Sequence, residues 1–286
     1  MLSQSLFLPD RVTLMGVVNV TPDSFSDGGR FVNGTAEVDC DAVFRYAAEQ
    51  VNDGAHVLHV GGESTRPGAE PVPIQVEERR VVPAIARICV ELDVPVSVDT
   101  RNAAVAKSAL RAGARIVNDV SGLSHDPALA QCVAESEALL ILGHMRGTPL
   151  DMQRAPHYDD VLREVAGELE ASIQIARKAG VSDRRIVVDP GIGFGKRLAD
   201  NLALMAHVDW LRDRLGVPVM VGPSRKSFIE AVTGDAIGSR DEATAASCAA
   251  LAFAGVDAVR VHDVRRASKA VLMGHAMGAA RRKSIA

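Results

Sequence analysis

A single (β/α)8 TIM barrel is the fold this sequence predicts, and three observations predict it. Eight short apolar runs recur along the 286 residues, most of them separated by a stretch long enough for a helix. Every run ends in a polar residue capable of chemistry. Strands that all terminate in reactive polarity put an active site at their carboxyl ends, as this fold does. Aromatic residues make up only 3%, which suits a barrel packed with Val, Ile, Leu and Ala. One such barrel takes roughly 250 residues, so one domain is expected over residues 10–280, followed by a frayed basic tail at 281–286.

The elements follow in order. Strand one, 14–18, runs into Asn19, and a helix is expected over 42–53. Strand two, 56–60, runs into Gly61-Gly62-Glu63 and is followed by a helix over 76–92. Strand three, 94–98, ends at Asp99, with a helix over 102–112 for which Asn102 is a plausible cap. Strand four, 115–117, ends at Asn118, and the helix over 126–137 has Pro127 in its first turn. Strand five, 139–143, ends at His144, and Gly180 stops the long helix over 159–179. Strand six, 185–188, ends at Asp189 and precedes a helix over 201–215. Strand seven, 217–221, leads to Ser224-Arg225-Lys226 and a helix over 241–254. Strand eight, 258–261, leads to His262 and a closing helix over 265–280. Three connections exceed what geometry needs: 21–40, 63–75 and 146–157. Loops of this length on this face surround an active site, and the glycines and prolines of the first two predict mobile lids.

Bulk properties narrow the function. A hydrophobic fraction of 47% with 24% charge is that of an ordinary globular protein. A net charge of −4 gives no basic footprint, which argues against a nucleic-acid partner. No run approaches membrane-spanning length, and the amino terminus has no basic segment followed by an apolar one, so a cytoplasmic enzyme is expected. Cys40, Cys89, Cys132 and Cys248 are far apart and read as free thiols.

Four groups carry chemistry. Asn19-Val20-Thr21-Pro22-Asp23 opens the first long loop. Gly61-Gly62-Glu63-Ser64-Thr65-Arg66-Pro67-Gly68 offers backbone donors, a hydroxyl and an Arg fork, a set suited to phosphate oxygens or to an ordinary polar loop. Asp99, Asn118 and Asp189, converging at an apolar barrel mouth, suit a planar heterocycle with several N–H donors, such as a 2-amino-4-oxo ring. Ser224-Arg225-Lys226 and Arg260-Val261-His262-Asp263 place cations after strands seven and eight, the usual phosphate quarter of the fold. Arg260 and His262 share strand parity and so point the same way, as a pair of grips or as members of a structural salt bridge.

Taken in order, the Asn19 and Gly61 motifs, Ser97-Val98-Asp99-Thr100, Asn118-Asp119, Asp189-Pro190-Gly191-Ile192-Gly193-Phe194-Gly195-Lys196, the Ser224 motif and the Arg260 motif resemble the dihydropteroate synthase family of pterin-binding enzymes, over about residues 11–275. The resemblance implies a transferase that joins 6-hydroxymethyl-7,8-dihydropterin diphosphate to 4-aminobenzoate in folate biosynthesis, with sulfonamides acting as aminobenzoate mimics. It implies that Asp99, Asn118 and Asp189 hold the pterin and that Lys226 reaches both pterin and aminobenzoate. Arg260, His262, Thr65 and Arg66 would take the diphosphate, with Asn19 placing Mg²⁺ on it. Phe194, Pro67, Phe25 and Ser224 would shape the aminobenzoate pocket. A homodimer is the family expectation. No residue reads as a nucleophile activated by a base, so the expected mechanism is assisted departure of the diphosphate, with lids excluding water from a pterin cation.

Two positions depart from the family pattern. His59 stands where Asp is usual, and Gly143 where a larger apolar residue is common. His56 and His59 are three apart in a strand, face opposite sides and cannot share a metal. Two alternatives share the pterin acids: the methyltetrahydrofolate-binding domain of a corrinoid methyltransferase, and a non-catalytic pterin-binding paralogue. Arg66, Arg260 and His262 argue against the first, and Lys226 with complete first loops against the second.

Overall fold

The computed structural model describes residues 10–21 and 38–285. Eight parallel strands are joined in the order β6-β5-β4-β3-β2-β1-β8-β7. They are β1 Thr13–Asn19, β2 Val57–Gly61, β3 Val96–Asp99, β4 Ile116–Asp119, β5 Leu139–Gly143, β6 Ile186–Asp189, β7 Met220–Val221 and β8 Ala258–Val261. The two ends of that order meet where Val188 pairs with Val219 and its N–H donates to the Pro218 carbonyl at 3.0 Å, closing the expected barrel. Around it lie α1 Cys40–Asn52, α2 Ile74–Glu91, α3 Ala103–Arg111, α4 Ala128–Ala134, α5 Val161–Lys178, α6 Leu198–Ala206, α7 Val208–Leu215, α8 Ser227–Thr233, α9 Asp241–Ala254 and α10 Val264–Ile285. Among the described residues no helix is long and apolar enough to cross a membrane.

The strands are apolar on both faces because both faces are buried, as parallel strands require. Outward residues such as Leu58, Val60, Val96, Val98, Leu140, Leu142 and Val188 join the shell between barrel and helices. That shell is completed by helix stripes at the spacing of a 3.6-residue repeat, for example Val43, Tyr46, Ala47 and Gln50 on α1. Inward residues form a separate plug: Met15, Val57, Ile116, Leu139, Ile141, Val187, Met220 and Ala258, all at most 2% exposed. Each fully buried Val, Leu or Ile stabilises the fold by roughly 1.5–3 kcal/mol. Further along the same strands, the inward parity passes to Asn19, His59, Asp99, Asn118, Asp189 and Arg260, so the plug is the floor under a polar chamber.

Several elements differ from the sequence expectation for identifiable reasons. β7 keeps only two residues because Pro218 has no N–H and the Val219 N–H is taken by the Asp257 carboxylate at 2.8 Å. The helix expected over 201–215 breaks into α6 and α7 at His207, whose ring and backbone nitrogens both lie within hydrogen-bond distance of the Ala203 carbonyl. Asn102 stands at the N-cap position of α3, but its side chain turns to Glu77, and the first turn is capped by Asp126 through the Ala103 N–H at 2.8 Å. The expected basic tail is helical instead, since α10 continues to Ile285. Most of the first expected lid, Phe25 included, lies outside the described residues.

Candidate active site

Strand register builds the site. Gly61 pairs with Asp99 and Asp99 with Asn118 across β2, β3 and β4, while Gly143 pairs with Asp189 across β5 and β6. The three acidic and amide side chains therefore reach the chamber at neighbouring heights. Above them opens a cavity of about 370 Å³, lined in part by Asn19, Thr65, Arg66, Phe194, Lys226 and His262. Asp99, Pro67, Ser224, Arg260 and His59 also face it.

Arg260 crosses the barrel from β8. Its guanidinium donates to Asn118 Oδ1 at 3.0 Å and to Asp189 Oδ2 at 3.1 Å. Asn118 in turn donates to Asp99 Oδ1 at 2.6 Å, and Asp189 Oδ1 accepts the Gly191 N–H at 2.8 Å. Arg260 thus lies on the residues expected to hold the pterin, whereas the sequence placed it with the diphosphate. Desolvation works to raise the Asp99 pKa, but His59, Arg260 and Asn118 outweigh it and hold the carboxylate ionised.

His59 places Nδ1 3.3 Å from Ser97 Oγ and Nε2 3.6 Å from Asp99 Oδ2. Burial lowers its pKa against the pull of Asp99, so a neutral ring lies beside the carboxylate. His56 faces the other way and accepts the Leu14 N–H at 2.9 Å.

The upper wall is cationic. Lys226 lies 4.6 Å from the centre of the Phe194 ring and donates to the Ile192 carbonyl. Desolvation brings its pKa down to about 7, Arg260 adding to the effect while Asp189 and Asp99 oppose it. Ser224 Oγ accepts the His262 backbone N–H at 3.2 Å and lies 2.9 Å from His262 Nδ1. A hydroxyl proton given to Nδ1 makes Nε2–H the donor of the ring. Desolvation, with Arg225, Arg66, Arg260 and Lys226 nearby, pushes His262 down to about 3, so it works as a neutral donor rather than a cation.

The Gly61–Gly68 loop is braced from behind by groups the sequence reading missed. Glu63 pairs with Arg101 at 3.2 Å and accepts the Val72 N–H at 3.1 Å. The Gly68 N–H donates to the Pro149 carbonyl at 2.7 Å, tying the second long loop to the third. A Cβ on Gly62 would come 2.7 Å from Val81, which is why the loop can cross α2 so closely. The polar run Thr100-Arg101-Asn102 after Asp99 was the available signal for Arg101.

A family model described as pterin binding enzyme matches residues 15–262. The dihydropteroate synthase of Bacillus subtilis is 42% identical over 273 residues, covering 96% of this chain and 91% of the relative. The chain belongs to the dihydropteroate synthase family. Solved members of that family share its fold. The Yersinia pestis synthase in complex with a sulfonamide drug superposes with a TM-score of 0.88 at 36% identity, covering 94% of this chain and 95% of that one. The Xanthomonas albilineans synthase with 4-aminobenzoic acid gives 0.85 at 42% identity over 94% of each chain. In the present synthase fold all ten expected substrate-binding residues gather at one barrel mouth: Thr65, Arg66, Asp99, Phe194, Ser224, Lys226, Arg260 and His262 at the cavity, Asn118 with Asp189 beneath Arg260. Asn19 lines the same mouth.

Proposed function

We propose that this chain condenses 6-hydroxymethyl-7,8-dihydropterin diphosphate with 4-aminobenzoate, giving 7,8-dihydropteroate and pyrophosphate. The seating of Arg260 carries the reading for this chain. A guanidinium is a planar N–C–N donor edge, and the 2-amino-4-oxo ring of a pterin presents the same pattern. Asn118 and Asp189 already accept that pattern from Arg260. An entering pterin takes over these acceptors and releases Arg260 toward the cavity, where Thr65, Arg66 and His262 stand.

In the reaction the pterin methylene carbon loses its C–O bond, and the electron pair leaves with pyrophosphate. Arg66, the His262 N–H and the released Arg260 stabilise the charge growing on that group. Ionised Asp99, deep beside the ring site, favours the cationic pterin that remains. The amine nitrogen then forms the C–N bond and loses one proton, which the neutral form of Lys226, present above about pH 7, can accept. Phe194 and Lys226 form the wall along which the arylamine lies.

The donor set fits Mg²⁺ carried on the diphosphate. Among the described residues no group of three or more His, Cys, Asp or Glu side chains makes a protein cage, and Mg²⁺ characteristically binds through substrate phosphates, waters and one or two protein oxygens. Asn19, at the cavity mouth, would supply such an oxygen. When bound, the ion neutralises diphosphate charge. We also propose a homodimer: Leu272, Met273 and Met277 stand 67%, 64% and 56% exposed on one stretch of α10, and sedimentation equilibrium tests it.

Pyrophosphate release that requires Mg²⁺, dihydropterin diphosphate and 4-aminobenzoate together tests the activity. Release without the amine would contradict it. Calorimetry tests the Arg260 exchange. Arg260→Ala should weaken the diphosphate ligand by about tenfold or more while leaving phosphate-free 6-hydroxymethylpterin as tight as before or tighter. Equal losses for both ligands would show that Arg260 does not serve the diphosphate.

A further inference from the structure

Lys196 closes the Asp189–Lys196 motif, and none of the pterin, arylamine or diphosphate contacts uses it. It is buried, 4% exposed, and it touches an imidazole and two carbonyls rather than a carboxylate. Its Nζ lies 2.9 Å from His144 Nδ1, 3.0 Å from the Phe194 carbonyl and 3.4 Å from the His144 carbonyl. His144 is equally buried, and its Nε2 lies 2.9 Å from Glu168 Oε2 on α5. The other oxygen of Glu168 accepts from Arg146 at 2.9 Å. With His144 and then Arg146 donating to it, Glu168 is held down at about 2 despite its partial burial. Burial brings Lys196 down to about 7. A buried amine without a carboxylate is unfavourable to folding, so a side chain of this kind is better explained by what it positions than by stability.

What it positions is the glycine-rich turn after β6. That turn lies against the tail of β5 with no room to spare. A Cβ on Gly191 would come 1.9 Å from the His144 carbonyl oxygen, and one on Gly195 would come 2.8 Å from that of Arg146. Three consecutive carbonyls of the turn are each taken by a side chain: Ile192 by the distant Lys226, Gly193 by the distant Gln153 at 2.8 Å, and Phe194 by Lys196, two residues on. The orientation of these peptides fixes where the Phe194 ring stands relative to Lys226.

We propose that Lys196, seated on His144 and Glu168, is a positioning residue for the arylamine, acting by fixing the Phe194 peptide. This rests on the reading that the arylamine lies beside Phe194 and Lys226. Lys196 touches neither cavity nor substrate. It acts through Phe194, and so bears mainly on one substrate, because Asp99 and Asn118 are held by contacts that do not pass through it, and Asp189 meets the turn at the Gly191 N–H while its other oxygen is held by Arg260.

The test is steady-state kinetics of the full chain, varying each substrate in turn, for Lys196→Met, Glu168→Gln and Phe194→Ala. Lys196→Met should raise KM for 4-aminobenzoate about tenfold, leaving KM for dihydropterin diphosphate within about twofold and kcat within about threefold. Glu168→Gln, at a half-exposed site, should shift the same constant in the same direction by about two- to fourfold, and it decides the matter if the methionine variant does not fold. An unchanged arylamine KM in the Lys196 and Glu168 variants, beside a raised one in Phe194→Ala, would overturn the positioning role alone. Parallel changes in both KM values would overturn it too, since a general loosening of the barrel mouth would then be the cause. An unchanged arylamine KM in Phe194→Ala would overturn the placement of the arylamine itself.

Discussion

The lower and upper halves of the barrel interior are made by the same strand parity and do opposite work. Below, Met15, Val57, Ile116, Leu139 and Met220 fill the space with buried hydrocarbon. Above, Asp99, Asn118, Asp189, His59 and Arg260 fill it with a connected set of charges and hydrogen bonds. Two residues of strand separate a position that determines folding from one that determines ligand choice. The comparison teaches that alternation along one strand distributes these tasks without any change in backbone, so substitutions in the two layers should differ in kind and not only in size.

The largest effect on catalysis should come from the upper wall. Lys226→Ala should lower kcat/KM by roughly 30- to 1,000-fold, equivalent to about 2–4 kcal/mol of transition-state stabilisation, with an unchanged melting temperature. Near-normal kcat/KM in a folded variant would break the division between layers.

Leu139→Ala, in the plug, should do the reverse. Denaturant unfolding should show a loss of about 2–5 kcal/mol, while kcat per folded molecule stays near that of the parent. A selective loss of pterin binding instead would mean that the plug shapes the chamber.

Glu77 tests the bracing outside the barrel. Burial, with Glu63 and Asp99 adding to it, pushes this carboxyl up to about 7 against hydrogen bonds from Thr100 and Asn102. In the unfolded chain it ionises near 4.5, so between 4.5 and 7 the fold holds a proton the unfolded chain has lost. Stability from this site is therefore present below about 4.5, falls as pH rises to about 7 and stays reduced above. Glu77→Gln keeps the neutral form at every pH. Its gain over the parent should grow from nearly nothing at acid pH to about 1–3 kcal/mol above neutrality, measured by urea unfolding across the range. A difference independent of pH would show that Glu77 does not titrate there.

The smallest effect is expected at His59. Its ring supports Asp99 from below, and His59→Asp should retain kcat/KM within roughly tenfold, about 1.4 kcal/mol. A thousandfold fall, or loss of a limb of the pH profile near neutrality, would move His59 into the reacting layer.

What the sequence made legible was whatever a strand end records locally. Asn19, Asp99, Asn118 and Asp189 each follow an apolar run, and the period of two predicts that they face inward. His59 beside Asp99 could be read in the same way from adjacent strands. What stayed hidden was pairing between distant elements. Arg260 and Asn118 are 142 residues apart, and nothing local tells a guanidinium to lie on the floor rather than at the rim. The clasp of Lys196 on His144 spans 52 residues, and although both motifs were noticed, neither announces the other. The break at His207 occurs without glycine or proline, the residues that mark most helix ends.

Gly143 couples two neighbouring segments of the barrel. A Cβ there would come 2.7 Å from the Val120 Cα and 2.9 Å from two carbonyl oxygens, and a Cβ on Gly122 would come 2.6 Å from the Gly143 carbonyl oxygen. Backbone meets backbone on both sides, so no rotamer change makes room. The turn that presses on it is pinned by Asp119, whose carboxylate accepts the N–H groups of Ser121 and Leu123. A larger residue at 143 therefore requires the 119–123 turn to take another course at the same time. In this chain, then, no single substitution at 143 fits the barrel as it stands, and a larger side chain there is admitted only together with a rebuilt β4–α4 turn.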